Sequence, residues 1–472
     1  MAVVLSGSDL TPEEVARVAR TGEEASLHPE AAERMARAHE VVERSLARDE
    51  EVYGLTTGVG AAKTRRVEAA DAAANARRLI RAHLVGQGPP LPMEMVRAAT
   101  LVLVNGFAAG YSGVRPELAR HLLGALNEGR LPTVRSLGSV GQADLAPLAD
   151  LADGVLGSFE LAPGEGLALL GSNAFATGAA ALAVFDAGHL LHGVDASAAL
   201  SFEGFGANLG VLHPAVGAVR PFPGLRTSLD RLRELLRGSA LESPGAARNL
   251  QDPLTFRDVA VVNGAARDAL VFAERALAVE LNATQTSPMV LVEEDRLISS
   301  PNYDPAALAS ALDALRIGLA PAITSSSERV VKLLDASWSG LPRGLVEGAG
   351  DGLSYMGIAV QAIAAEARLL AAPVSFELTS TAHAEGIEDR TSMAPLAARR
   401  VSEMVGLATR VIATELTVAA QAVDVRDSPP LGRGTTVIRE LVRERIPQMT
   451  ARDVEPPDPE PLAEAIRSGG LP

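Results

Sequence analysis

The chain has 472 residues, 47% of them hydrophobic but only 3% aromatic, with a net charge of −15 and no cysteine. Its length admits two to four domains and a large core, and the missing cysteine excludes disulfides, thiolate metal sites and a cysteine nucleophile. The acidic balance argues against nucleic acid or an anionic membrane as partner, and an interior of Ala, Leu and Val packs helix on helix.

Met1 to Thr11 has no basic region ahead of an apolar one, so no secretory signal is expected and a cytoplasmic protein fits. Thr11-Pro12-Glu13-Glu14 predicts a capped helix start with proline at its first position. A second helix is expected from Pro29 to Arg48. The three glycines of Tyr53-Gly54-Leu55-Thr56-Thr57-Gly58-Val59-Gly60 then predict a loop. Helices follow at Val67 to Val85, at Met93 to Ala109, and from the turn Gly110–Pro116 to Glu128. Gly154 to Ala162 reads as short strands.

Gly166 to Phe185 carries no charge and has the length of a membrane span. Its glycines, its polar Ser172, Asn173 and Thr177, and its flanks Glu165 and Asp186 instead predict a buried helix, with no membrane partner. Long helices are expected at Asp258 to Ala283, Pro305 to Leu319, Gly352 to Ala371 and Ala397 to Val423, with a surface segment at 450–462 before a short terminal helix. No low-complexity linker, charge block or short repeat interrupts the chain. One continuous unit over 1–472 is expected, with loops that build the site in about 1–200 and a long-helix bundle with a C-terminal segment in about 200–472.

Gly138-Ser139-Val140-Gly141-Gln142-Ala143-Asp144-Leu145-Ala146-Pro147-Leu148 resembles the signature of the histidine and phenylalanine ammonia-lyase family. In that family an Ala-Ser-Gly triplet stands between the two halves of this frame and cyclises to the electrophile methylidene-imidazolone (MIO). Here Gln142-Ala143 holds the place, one residue short and without serine. Further segments resemble the family in the same order. They are Tyr53 to Gly60, Arg81-Ala82-His83, Gly110 to Glu117, Glu165 to Leu170, Gln251-Asp252-Pro253 with Arg257, Asn302-Tyr303, Ser327-Glu328-Arg329, Ser339 to Pro342, and Glu388-Asp389 with Ser392-Met393. The resemblance implies a mainly α, long-helix fold of the fumarase/aspartase type. It also implies a homotetramer whose active sites draw on more than one subunit.

The departures gather around the electrophile. Gly171, Leu254 and Ile387 stand where the family has an asparagine, a second active-site tyrosine and a glutamine, and Phe222 and Leu225 replace a histidine and a glutamine. By resemblance, Tyr53 and Glu388 are the candidate acid/base groups. A phenol must be activated to take a proton near neutrality. Arg257 has the fork that grips a carboxylate, Gln251 is a candidate neighbour of the same carboxylate, His83 and Tyr303 are candidate pocket residues, and Asn173 and Asn282 are weaker polar candidates. For each there is a plainer structural role: a packed ring, a surface ion pair, a helix-terminal acid, a core histidine.

No MIO cofactor is expected, and no metal site or phosphate-binding glycine motif appears. The expected function is a lyase-type enzyme without MIO, using Tyr53 to take a proton from a small carboxylated, amino-acid-derived substrate in an elimination, dehydration, cyclisation or isomerisation. A non-catalytic amino-acid-binding or structural paralogue is the alternative. A third reading, an altered cofactor made from Gln142-Ala143, predicts a changed peptide mass across Arg135 to Leu156.

Overall fold

The computed structural model describes residues 2–68, 71–348, 351–376, 386–426, 429–453 and 455–471, and these are mostly helical. Contacts divide the chain into two compact units. The first comprises Met1–Phe185, Ala273–Leu312 and Pro373–Arg399, and the second Asp186–Phe272, Asp313–Ala372 and Arg400–Pro472.

In the first unit, Thr11 and Glu14 form a reciprocal capping box at the helix Pro12–Ala16. Val3–Leu5 pairs in parallel with Ala25–Leu27, and His28 Nδ1 accepts the Glu30 amide to start the helix Pro29–Ala47. Helices Ala72–Ala82, Met93–Ala108 and Pro116–Asn127 lie close to their expected places; residues 69–70 lie outside the described residues. Short antiparallel pairs join Gln87–Pro90 to Arg135–Leu137 and Met289–Leu291 to Arg296–Ile298.

Asn105 clips this unit together, accepting the Gly7 amide and donating to the Leu281 carbonyl. Asn282 binds both the amide and the carbonyl of Leu10, a clip between segments far apart in sequence. Gly166 is fixed by close approach, since a β-carbon there would meet the Ala76 backbone at 2.7 Å.

The expected strands at Gly154 to Ala162 are absent. Gly154 lies inside the helix Leu145–Leu156, and turns follow. The uncharged run is not one helix either: Glu165–Leu170 ends at Gly171, and a new helix, Ala174–Phe205, begins after Asn173. By length and composition, Glu165–Phe205 and Ala306–Leu334 pass as membrane spans, but 89% of the first one's apolar window is buried inside the protein.

In the second unit, Phe256 stacks on Phe205 at 4.2 Å and meets Phe202 edge-on at 5.6 Å. Helices Pro223–Leu235 and Arg433–Arg445, which no reading of the sequence anticipated, are short and amphipathic. Ala306–Leu334 continues through Pro321, beyond the expected end at Leu319. Met356–Leu369, Ala394–Val425 and Glu460–Arg467 complete the long-helix pattern.

Candidate active site

Tyr53 is held by its neighbours. Val52 and Leu55 are buried against Ala38, Val41, Val42 and Val290, so the two apolar residues pin the loop from either side of the tyrosine. Thr56 Oγ1 accepts the Val52 amide at 2.8 Å and donates to the Glu50 carbonyl at 2.8 Å, closing the turn. The Gly60 amide donates to Tyr53 Oη at 2.8 Å. That bond uses the oxygen as acceptor and leaves the hydroxyl's own proton to be donated elsewhere.

Tyr303 feels both Tyr53 and Glu388 electrostatically. Burial raises the Tyr303 phenol above its ordinary value, and negative charge at Glu388, Tyr53 and Asp304 raises it further. Tyr303 is thereby kept as a hydrogen-bond donor beside two groups that can hold negative charge. Glu388 is exposed within the chain, not buried.

The Gly138–Asp144 loop adjoins Tyr303. The Ala143 amide donates to the Tyr303 carbonyl at 3.4 Å, and Asn173 Nδ2 donates to the same oxygen at 2.6 Å. Ser392 Oγ donates to the Gly141 carbonyl at 2.6 Å and the Met393 amide to that of Val140 at 2.9 Å. Gly141 has φ +80°, and a β-carbon there would collide with the Ser392 hydroxyl. Ala143 takes φ +61°, a left-handed conformation rare for a residue with a side chain.

These residues do not fit an MIO group. The only serine of the loop, Ser139, donates its hydroxyl to Asp144 Oδ1 at 2.6 Å and accepts the Gly141 amide at 3.1 Å. The residue after it, Val140, has a hindered amide, and neither Gln142 nor Ala143 has a hydroxyl to lose.

Asp144 and Gln285, which sequence reasoning missed, order the helix break. Asp144 is fully buried, accepts the Ala176 amide at 2.8 Å, and caps the helix that begins at Ala174 from thirty residues away in sequence. Gln285 Oε1 accepts from Ser172 Oγ and the Asn173 amide, both at 3.1 Å, while its Nε2 donates to Thr177 Oγ1 at 3.0 Å and Glu280 Oε2 at 2.6 Å. A small cavity of about 20 Å³ beside Tyr53 is lined by Ser112, Thr286 and Ser287 among others, and a second of about 10 Å³ shares Ser112 and Thr286 and reaches Ser172 and Gln285.

Desolvation pushes Asp144 up to about 6 from 3.8, outweighing the hydrogen bonds from Ser139 and the amides of Ala176 and Phe175. Between about pH 4 and pH 6 the folded chain therefore keeps a proton that the unfolded chain has lost. The contribution of this group is fully present below pH ~4 and is lost as pH rises to ~6, a decline of about 3 kcal/mol. Asp144→Asn is expected to keep the helix cap and to flatten that part of the pH dependence in urea unfolding at pH 4, 5, 6 and 7. An unchanged profile would assign the slope to other groups.

Three further candidates have local surroundings of their own. His83 closes the C-terminus of Ala72–Ala82, with Nδ1 2.8 Å from the Leu79 carbonyl. In the second unit Gln251 is exposed, and Arg257 Nε donates to the Asp252 carbonyl at 2.8 Å while its charge acts on the Asp258 carboxylate. No group of three or more His, Asp or Glu suited to a metal occurs among the described residues.

The aromatic amino acid lyase family model matches residues 10–161 and 155–444. A histidine ammonia-lyase from Symbiobacterium thermophilum is 33% identical, with 100% of this chain and 98% of the relative covered. Among solved structures, the ergothioneine-degrading ergothionase of Treponema denticola, in complex with desmethyl-ergothioneine sulfonic acid, superposes with a TM-score of 0.91 at 29% identity over 100% of this chain and 99% of that one. Histidine ammonia-lyase of Trypanosoma cruzi gives 0.90 at 27% identity over 100% and 94%. Matched along nearly its whole length, the chain belongs to the aromatic amino acid lyase family of enzymes.

Proposed function

We propose that the protein is an MIO-independent lyase that eliminates an amine better able to leave than ammonia, with Tyr53 as the base. The observation that carries this reading is the pairing of an intact acid/base neighbourhood, Tyr53 with Tyr303 and Glu388, with a loop whose only serine is committed to Asp144. Without an electrophile to activate a primary amine, the substrate must bring its own leaving group. A quaternary ammonium does so, because it departs as a neutral tertiary amine. Ergothioneine, which the Treponema denticola relative degrades, is a trimethylammonium betaine of this kind.

The steps balance without a co-reactant. The Tyr53 phenolate takes the β-proton, the C–H electron pair forms the double bond, and the C–N pair leaves with the amine. An unsaturated carboxylate, a neutral amine and a protonated Tyr53 result. Tyr303 donates a hydrogen bond and Glu388 lies beside the reacting end, while by family resemblance Arg257 and Gln251 are the candidates for a substrate carboxylate and His83 for the rest of the substrate. The working form is a cytoplasmic homotetramer.

The test is incubation in deuterated water with a panel of histidine, phenylalanine, their N-trimethyl betaines and ergothioneine, followed by mass spectrometry. Trimethylamine release or deuterium uptake from the betaines alone supports the proposal. Deamination of plain histidine or phenylalanine would overturn MIO independence. Inertness toward the whole panel, with a ligand still bound, would favour the non-catalytic paralogue.

A further inference from the structure

We infer that Arg115 and Glu165 are positioning residues for Tyr53: their ion pair fixes the start of the short helix Glu165–Leu170, and that helix sets where the Tyr53 loop lies. The inference rests on the reading of Tyr53 as the base.

Glu165 is fully buried, and its carboxylate gathers four donors. Arg115 supplies its amide at 3.0 Å, Nε at 3.0 Å and Nη2 at 2.8 Å, and the Ala162 amide adds the fourth at 2.7 Å. Arg115 Nη2 also donates to the Glu160 carbonyl at 2.7 Å, and the guanidinium lies 5.7 Å from the centre of the Phe159 ring. A buried carboxylate gripped from so many sides is confined to one place. The pair thereby ties the chain at 112–115 to the helix Glu165–Leu170, 50 residues on.

Both tied segments reach Tyr53. Ser112 from one, and Leu167 and Ala168 from the other, line the small cavity beside that tyrosine. Leu167 also lies directly on Gly54. Gly54 has φ +70°, and a β-carbon there would stand 2.2 Å from Leu167 Cδ2. No side chain fits between the two, so a shift of the helix bears at once on the peptide that follows Tyr53.

The far end of the same helix leads to Tyr303. The Gly171 amide closes on the Leu167 carbonyl at 2.7 Å, and Asn173 donates to the Tyr303 carbonyl. One helix of six residues therefore sets Leu167 against the Tyr53 loop and leads into Asn173 at Tyr303, with Glu165 fixing its first residue. Close-packed interiors pass small shifts on, and a displacement of about 1 Å at a reacting group costs about 10²-fold in rate. A directional ion pair fixes such a helix in a way that apolar contact, which has no direction, does not.

The test uses the full-length protein labelled with 3-fluorotyrosine. Its four tyrosines give four fluorine resonances, and the Tyr53 resonance is the one absent from Tyr53→Phe. Glu165→Gln keeps the shape of the side chain and gives up the charge, while Leu167→Ala keeps the ion pair and removes the contact on Gly54. Each is expected to move or broaden the Tyr53 resonance. The resonance of Tyr355, in the second unit, should stay in place and report an intact fold. The double variant should move the Tyr53 resonance little beyond the larger single effect, since both changes act through one helix. On a betaine that wild type turns over, each variant should lower kcat by about 10–100-fold with KM within about threefold.

A Tyr53 resonance that stays in place in both single variants would overturn the inference. So would one that moves with Glu165→Gln alone, or shifts that simply add in the double variant, because the helix and Leu167 would then not carry the effect. The two proposals fail separately. A displaced Tyr53 resonance without turnover of any betaine sinks only the lyase reading. Betaine turnover with kcat unchanged in both variants sinks only the positioning role.

Discussion

Tyr53→Phe is expected to lower kcat by about 10²–10⁴-fold while substrate affinity stays within a few-fold, the range typical of a lost general base. The substitution keeps the ring and hence the packing of the loop, since Val52 and Leu55 do the anchoring. What it removes is the oxygen that accepts the Gly60 amide and takes the proton. Leaving that amide unpaired at a half-buried position costs about 1 kcal/mol of stability, too little to unfold the chain. The assay is amine release from the best betaine together with ligand affinity measured by calorimetry. A variant within threefold of wild-type kcat would remove Tyr53 from the chemistry and leave Glu388 as the candidate base. Full loss of binding would instead make Tyr53 a structural post.

The parts of this site legible in the sequence are those carried by contiguous motifs. Tyr53 in its glycine loop, Gln142-Ala143 in its frame and Asn302-Tyr303 each stand in a local pattern, and the structure brings Tyr53, Ala143 and Tyr303 into one neighbourhood. The long helices were legible too, because an Ala/Leu/Val run of more than twenty residues has few other ways to bury itself. The break at Gly171–Asn173 was not. Composition there favours a continuous helix, and what ends it is Asp144 capping Ala176 and Gln285 holding Ser172 and Asn173, a partner 112 residues away from Asn173. No local signal encodes such a partner.

The same holds for Asn282, whose role as a clip depends on Leu10 at a separation of 272 residues. The helix Arg433–Arg445 escaped notice for a different reason. It is mostly polar, with Thr435, Ile438 and Val442 as its buried residues, so little apolar periodicity marked it. Ser327-Glu328-Arg329 was legible as a family motif, but the structure gives its arginine an internal electrostatic task.

That task yields the second large expected effect. Arg329 and Glu415 are both fully buried in the second unit, with Nε 2.5 Å and Nη2 3.0 Å from the carboxylate. Ser197, Ser201 and Ser326 donate their hydroxyls to the same carboxylate at 2.9, 2.7 and 2.5 Å. Five donors thus converge on two oxygens, as a buried charge pair requires if desolvation is to be offset. Glu415→Ala would strand the Arg329 charge in the interior and leave three hydroxyls to find other acceptors. The expected loss is about 3–5 kcal/mol, read as a lower urea midpoint. Arg329→Met should be destabilising by a similar amount, because it leaves the carboxylate unpaired. The double variant Glu415→Leu/Arg329→Met should lie well above the sum of the two losses, since it removes the charges together and replaces them with apolar side chains. Additive losses would show that the two charges do not depend on each other. Single variants with wild-type midpoints would show that water reaches the pair, and that the second unit is held by its apolar packing alone.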